Sequence, residues 1–491
     1  MAAVDRQAEE PEEVLIGRAG AAVARRAARL LSGVYAKRIV VVAGKGNNGA
    51  DGRAAAALLS RHGADVQVLE AAGLQPGQLL PVADLVVDAA YGTGLQRAYS
   101  PPSPGRSPVL AVDIPSGLSG LTGEVPEGGG AMRAAATITF ASLKPGLLLG
   151  AGPDLAGEVE VVDIGLGALV DAAARCWLVV DADVAALLPR RSREAHKWQT
   201  ALQVVAGSPG MTGAPWLVSR SALRAGAGYV RLSMPGVDPS VLPPGELVHL
   251  PVPASGWHAR VLAELSRVKA LVVGPGLGSV GGRSTGAGST GTAGTGTAGT
   301  GAGSTGTGGT GTGGEAGARA LPGGEVGLLV AAAAVPTVID ADGLNAIGSL
   351  DGLAAIVARR RQPTVITPHA GELTRLSGHA PGPDRLAEAR DAAARSGAIV
   401  LLKGSTTVIA APDGRALMAA SGDARLATAG TGDVLSGVIG AFLARGVPAF
   451  EAAALAAHVH GRAARAGYRE GLVAGDLPDL VAGWLSELPR P

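Results

Sequence analysis

The sequence predicts an α/β protein of two successive domains, each built around a mostly parallel sheet. Three observations carry this reading. Short apolar runs ending in Gly or Asp alternate with helical stretches along most of the chain. The length of 491 residues suits two to three domains of about 150 residues. Two glycine-rich turns, GNNGADG at 46–52 and AGTGD at 429–433, each close on an aspartate at the start of an expected helix. At the N-terminus, Glu9, Glu10, Glu12 and Glu13 lead into a helix with Val14, Leu15, Val23, Leu30 and Leu31 on its apolar side. The charge order is wrong for a signal peptide and no apolar core follows. Strands are then expected at 39–43, 66–69, 85–87, 109–112, 137–140 and 159–162. This is the spacing of βαβ units in a Rossmann-like, three-layer domain over 1–170.

A second series begins near Leu178 and continues at 202–206, 229–232, 270–273, 337–339, 364–366, 399–402 and 407–410. It predicts a larger α/β domain over 176–491, with the boundary between Gly165 and Arg175. From 281 to 317 the chain is almost entirely Gly, Thr, Ser and Ala, with no apolar period to bury. Such a stretch cannot offset its ordering entropy, so a disordered insertion within the second domain is expected, closing as a surface excursion.

With 47% hydrophobic and 17% charged residues and a formal net charge of +1, the chain is not of a disordered or nucleic-acid-coating class. Aromatic content of 3% leaves few rings for stacking on bases. Cys176 is the only cysteine, which excludes an intrachain disulfide and a cysteine-built zinc site and fits a reducing cytoplasm. The longest apolar run, 326–339, is broken by Gly327 and Pro336 and falls short of the roughly 20 residues a membrane span needs.

In the first domain, Gly44, Gly46 and Gly49 satisfy GxGxxG after a strand, and Glu70 closes the next strand about 20 residues on, as in NAD-binding domains. Asn47, Asn48 and Asp51 argue otherwise, because they place two amides and a carboxylate where a dinucleotide loop keeps bare backbone. Two further strands end in acids: Asp88, followed by GTG at 92–94, and Asp113, followed by IPSG. Ligands of open α/β sheets bind at the carboxyl ends of the strands, so Asp51, Asp88 and Asp113 are expected to converge on one crevice that invites a hard cation. Taken singly, Asp88 and Asp113 read equally well as loop caps.

GKGNNGADG, the segment Asp88–Gly94, VDIPSGL at 112–118 and ATITFASLKPG at 136–146 together resemble the NAD(P)H-hydrate epimerase family, the N-terminal half of bifunctional nicotinamide-nucleotide repair enzymes. The resemblance implies that Asn47, Asn48, Gly49, Ala50, Asp51, Gly92, Thr93, Gly94 and Asp113 contact the hydrated nucleotide. It also implies that Asn48, Asp88 and Ser116 hold a potassium ion. Asp113 is then the candidate acid/base that interconverts the R and S hydrates at nicotinamide C6. Ala50 stands where the family usually has glycine, and its methyl would crowd the turn if a positive φ were required there.

In the second domain, AGTGD opens an apolar helix whose first turn presents the amides of Gly430, Thr431 and Gly432. Aligned amides stabilise a phosphate, and Asp433 beside them is placed to deprotonate an attacking hydroxyl. No GxxxxGK[ST] occurs, so this is not a P-loop. The arrangement resembles the ribokinase-like fold. HKW at 196–198, VVAGSPGMTGAP at 204–215, GPGLG at 274–278, DADGLN at 340–345, TPHAGE at 367–372 and KGSTT at 403–407 follow in the order seen in ADP-dependent NAD(P)H-hydrate dehydratases. That resemblance implies that Ala214, Gly276, His369 and Asp433 line the hydrated nicotinamide. Lys403, Gly404, Ser405, Thr406 and Thr407, with Gly430, Thr431 and Gly432, would hold the adenine nucleotide. The implied reaction phosphorylates the C6 hydroxyl from ADP and then eliminates phosphate, with Asp433 as base and Mg²⁺ shielding phosphate charge. Trp198 departs from the family's usual glycine, and His458 and His460, on an apolar helix, read as structural.

Two rivals remain at this stage. AGTGD alone also fits a vitamin-precursor kinase related to hydroxyethylthiazole kinases, which leaves the first domain unexplained. The first domain alone also resembles catalytically inactive binding modules of RNA-decapping scaffolds, a reading that predicts loss of acids still present here. The substrates implied are the hydrates of NADH and NADPH (NADHX and NADPHX) and ADP, with no nucleic-acid or membrane partner. Relatives assemble into dimers and larger rings, which implies a homo-oligomer although no interface stripe is visible.

Overall fold

The structure, a computed structural model, describes residues 7–95, 97–241, 245–278 and 321–489. The expected Gly/Thr-rich insertion at 281–317 lies outside the described residues. The first six strands are β1 (Arg38–Ala43), β2 (Asp65–Glu70), β3 (Leu85–Ala89), β4 (Val109–Val112), β5 (Ala136–Phe140) and β6 (Glu158–Val162). They form one sheet in the order β2-β1-β3-β4-β5-β6, parallel throughout. Strands β1, β3, β4 and β5 are almost wholly buried, which is why they read as continuous Val, Leu, Ile and Ala runs.

The N-terminal helix Glu12–Leu31 packs on the helix Asn47–Arg61 through small residues. A Cβ on Gly20 would lie 2.5 Å from the Ala54 Cβ, so glycine permits this close crossing. Ala19, Ala22, Val23 and Ala27 are among its buried residues, while Val14, expected on the apolar side, is exposed. Alanines make the contact because the helices approach too closely for larger side chains.

The second sheet comprises β7 (Cys176–Leu178), β8 (Ala201–Val205), β9 (Tyr229–Ser233), β10 (Val248–His249), β11 (Ala270–Val273), β12 (Thr337–Ile339), β13 (Thr364–Ile366), β14 (Ile399–Leu402), β15 (Thr407–Ala410) and β16 (Ala416–Ala419). Their order is β10-β9-β8-β11-β12-β13-β14-β15-β16-β7. The sheet is parallel except for the β14–β15–β16 meander. Two strands escape the sequence reading: β10 is two residues long, and β16 is ALMA, which carries no β-branched residue. The apolar run 326–339 divides into the helix Gly324–Ala332 and β12. Among the described residues no helix is long and apolar enough to cross a membrane.

The domains meet through a short segment beyond β5. Leu149 is buried in the core of the second domain and Leu148 packs against that core. The Leu148 carbonyl accepts the Thr406 hydroxyl at 2.6 Å.

Candidate active sites

In the first sheet the strand order reverses between β1 and β3, and the loops leaving β1, β3, β4 and β5 converge there on a cavity of about 760 Å³. Asn47, Asn48, Asp51, Gly92, Thr93, Gly94 and Asp113 all line it. Glycine is required at the start: a Cβ on Gly44 would fall 1.8 Å from the Ala90 carbonyl oxygen, and one on Gly49 would fall 1.9 Å from that of Gly44. Ala50 lies in the first helical turn, its N–H donating to Gly46 O at 3.1 Å. It is absent from the residues of positive φ, so the methyl introduces no backbone strain.

Asp113 is held at φ 66, an uncommon conformation for a non-glycine residue. Lys144 fixes its carboxylate: Nζ lies 2.6 Å from Asp113 Oδ1. Nζ also donates to Thr139 Oγ1 at 2.8 Å and to the Phe140 carbonyl at 2.9 Å. Lys144 is buried and lines the cavity. The sequence reading quoted its motif, ASLKPG, and assigned the lysine no role. The signal was there: a lysine just beyond a strand end, in a domain whose other strand ends carry acids. Burial, and after it the charge of Asp113, push the Asp51 carboxyl up to about 8.

Two expectations need correction. Asp88 does not share the crevice with Asp51 and Asp113, because its side chain is fully buried beneath it. Its oxygens accept the Ser116 hydroxyl at 2.6 Å and the Ser116 N–H at 2.9 Å. Burial raises its pKa, and the Ser116 and Ala90 hydrogen bonds oppose that rise. No group of three or more His, Cys, Asp or Glu side chains among the described residues is placed to hold a metal ion, so the three-acid cluster does not form. Glu70, the acid of the dinucleotide reading, is engaged elsewhere: both of its oxygens accept from Arg53 at 2.7 Å.

In the second sheet the loops after β8, β11, β12, β13 and β14 supply Ala214, Gly276, Asp340, His369 and Lys403 from one edge. Gly276 has φ +66, and a Cβ there would lie 3.1 Å from the Ala214 Cβ, so these two positions are adjacent. The helix Thr431–Ala444 starts from Gly430 at φ 90, with Asp433 in its first turn. Its opening amides have no intrahelical acceptors. The Thr431 N–H is satisfied from outside the helix, turning back to the Thr428 carbonyl at 3.3 Å. The Thr431 hydroxyl likewise turns inward, to the carbonyls of Leu426 and Thr428.

Lys403 stands at the centre. Nζ lies 2.7 Å from Asp340 Oδ1 and 4.0 Å from Glu372 Oε2. A Cβ built on Gly432 would come within 3.4 Å of it. Asp340 is buried and accepts the Ser436 hydroxyl at 2.7 Å through its other oxygen. Burial, then the charge of Asp340, push the Asp433 carboxyl up to about 6, against the lowering effect of Lys403. Of the sequence KGSTT, then, Lys403 faces the acids beside the amide loop. Thr406 is buried with its hydroxyl committed to Leu148, so its side chain is not available to a nucleotide. Asp340 and Glu372 were quoted in motifs without a role, because their value lies in which lysine they meet.

His369 caps the helix Ala370–Ser377, its Nδ1 accepting from the amides of Gly371 and Glu372. His458 pairs with Asp181 at 2.7 Å. His460 is buried near Lys403, and burial first, then the lysine's charge, push its pKa down to about 4. Trp198 packs its ring 4.4 Å from that of Tyr229, with Arg267 stacked 4.1 Å above it.

Two mostly parallel sheets, each with a lysine–aspartate ion pair at its carboxyl edge and one with an amide loop at a helix start, define a two-domain α/β enzyme. Known proteins agree on both halves. Residues 202–305 and 318–485 match the family described as NAD(P)H-hydrate dehydratase, and residues 12–83 and 70–146 match that described as YjeF-related protein N-terminus. The bifunctional NAD(P)H-hydrate repair enzyme of Salinibacter ruber is 35% identical, over 96% of this chain and 91% of that one. The Mycobacterium tuberculosis enzyme of the same name is 36% identical, over 90% of this chain and 87% of its own. Among solved structures, an ADP/ATP-dependent NAD(P)H-hydrate dehydratase from Bacillus subtilis, co-crystallised with ATP/Mg²⁺, aligns with a TM-score of 0.47 and 24% identity. That alignment covers 65% of this chain and all of that one. The chain belongs to the bifunctional NAD(P)H-hydrate repair enzymes.

Proposed function

We propose that this chain repairs hydrated NADH and NADPH in two steps: its first domain interconverts the R and S hydrates, and its second dehydrates the S form with ADP. The observation that carries the reading is the pairing, in one chain, of two lysine-held acid centres at the carboxyl edges of separate sheets. In the first, Asp113 moves a proton at the C6 oxygen as the hydroxyl leaves and water returns on the other face. Lys144 holds that carboxylate aimed. Asn47, Asn48, Asp51 and the Gly92–Gly94 loop enclose the substrate.

A potassium ion would sit between this cavity and the buried Asp88. Both polar side-chain atoms of Asn48 are buried without a partner, and Asp88 and Ser116 add carboxylate and hydroxyl oxygens suited to a hard cation. Asn48, Asp88 and Ser116 would hold it, and it would supply a fixed positive charge that favours ionised carboxylates nearby. For Mg²⁺ no protein cage exists among the described residues. This suits an ion bound mainly through nucleotide phosphates.

In the second centre, Asp433 takes the proton of the C6 hydroxyl as its oxygen attacks the terminal phosphorus of ADP. The P–O bond to AMP breaks. The C6–O bond then breaks as phosphate leaves, and loss of a C5 proton closes the C5=C6 double bond. The amides at the start of the helix Thr431–Ala444 and the Lys403 ammonium stabilise the transferring phosphoryl group, so positioning and charge carry most of the rate. Ala214, Gly276 and His369 line the nicotinamide, and Lys403, Gly404, Ser405 and Thr407 border the nucleotide. A single, half-buried cysteine supports a cytoplasmic setting.

The test is purified protein with mixed R and S hydrates, with and without ADP, ATP and potassium, followed by chromatography. Asp433→Asn should abolish ADP-dependent dehydration and leave R/S interconversion intact. Asp113→Ala should consume the S form and leave the R form, apart from slow spontaneous epimerisation. Full dehydration by the first variant, or wild-type consumption of both forms by the second, would overturn the assignments.

A further inference from the structure

Glu372 is buried at the start of the helix Ala370–Ser377 and touches two groups of the second site at once. Its Oε2 accepts the backbone N–H of His369 at 2.8 Å. In return, the amides of Gly371 and Glu372 donate to His369 Nδ1 at 3.0 and 3.3 Å. A ring nitrogen that accepts two N–H groups carries no proton, so the neutral imidazole has its hydrogen on Nε2. Nε2 lies 3.6 Å from Glu372 Oε2, too far for a hydrogen bond. His369 therefore offers a fixed N–H donor to a ligand and is not a base. The same Oε2 is 4.0 Å from Lys403 Nζ, which also makes the 2.7 Å contact with Asp340. Two carboxylates thus attract the ammonium beside Gly432.

We propose that Glu372 is a positioning residue of the dehydration reaction, with two separable tasks: its charge centres Lys403 under the transferring phosphoryl group, and its reach caps His369 so that the Nε2–H faces the substrate. This rests on the reading of the second site given above. The two tasks depend on different properties, charge and length, and a crossed pair of substitutions separates them. Glu372→Gln keeps length and the carbonyl acceptor and loses charge. Glu372→Asp keeps charge and loses reach.

The experiment measures kcat and KM for the S hydrate at saturating ADP in the full-length chain, with R/S interconversion by the first domain as the control for folding. Glu372→Gln is expected to lower kcat about tenfold, the scale of a displaced catalytic group, with KM for the hydrate held within twofold. Glu372→Asp is expected to raise KM for the hydrate about tenfold, the scale of one lost hydrogen bond, and to keep kcat nearer the wild type. Wild-type kcat in Glu372→Gln, or the same kcat and KM changes in both variants, would overturn the proposal while leaving the reading of the site in place. A wild-type chain that shows no ADP-dependent dehydration would overturn that reading and the proposal with it.

Discussion

Lys144 Nζ and Asp113 Oδ1 lie 2.6 Å apart beside the cavity of the first domain, one just beyond the end of β5 and the other just beyond β4. Lys144 is buried, Asp113 faces the cavity, and the lysine's remaining donors are taken by Thr139 and Phe140. A carboxylate so held has one direction, which is what a proton carrier at a single carbon requires.

Lys144→Met should therefore slow R/S interconversion by about 100-fold, the lower end of what general acid–base groups contribute. It also leaves a largely buried aspartate unpaired, which costs about 3–5 kcal/mol. The melting temperature should fall, and the double variant Lys144→Met/Asp113→Asn should recover part of that loss without recovering activity. Thermal melts with hydrate chromatography check both parts. An active single variant would remove Lys144 from the mechanism.

The dehydratase should lose activity in acid. Asp433 must be ionised to take a proton, and its pKa is raised to about 6. The rate should thus be flat above about pH 7, half-maximal near 6 and about tenfold lower for each further unit of acid. Because the Lys403 charge lowers this pKa, the residual activity of Lys403→Met should show its acid limb shifted to higher pH. A limb at the ordinary carboxylate position in the wild type would contradict the burial of Asp433.

Thr406→Val should behave as a domain-contact variant. The hydroxyl donates to Leu148 across the domain junction, and losing such a bond with its acceptor left in place costs about 1–3 kcal/mol. The melting temperature should drop while the KM for ADP stays within twofold. A large rise in that KM would return Thr406 to the nucleotide site.

Potassium should accelerate R/S interconversion, and Asn48→Leu should abolish the response. The Asn48 side chain is buried with both polar atoms unpartnered, an arrangement costly without a ligand. Titration of the epimerisation rate with potassium chloride against choline chloride measures the effect. An equal response in the variant would place the cation elsewhere.

The sequence reading recovered nearly every long strand because parallel strands covered on both faces must be apolar throughout, and such runs stand out against the Gly and Asp that end them. It located Asp113, Asp433 and the glycine turns for the same reason: each sits just past a strand end or at a helix start, positions that sequence order alone defines. It misplaced Asp88, which by the same rule belongs in the crevice, because nothing in the sequence says that Ser116 draws it down into the sheet. It read Ala50 as a risk because helical and left-handed glycine look alike in sequence, and only the backbone shows the turn to be helical.

What the sequence by itself determined is local and periodic: two α/β domains, their strands, the two loops that must be glycine, and the acids beside them. What the tertiary structure alone decided is which charges meet. Lys144 finds Asp113, Lys403 finds Asp340 and Glu372, Glu70 is taken by Arg53, and Thr406 is spent on Leu148. These pairs join residues of different loops and elements and, in the last case, different domains. Ion pairing depends on distance and burial in the folded chain, and neither is encoded in the spacing of residues along it.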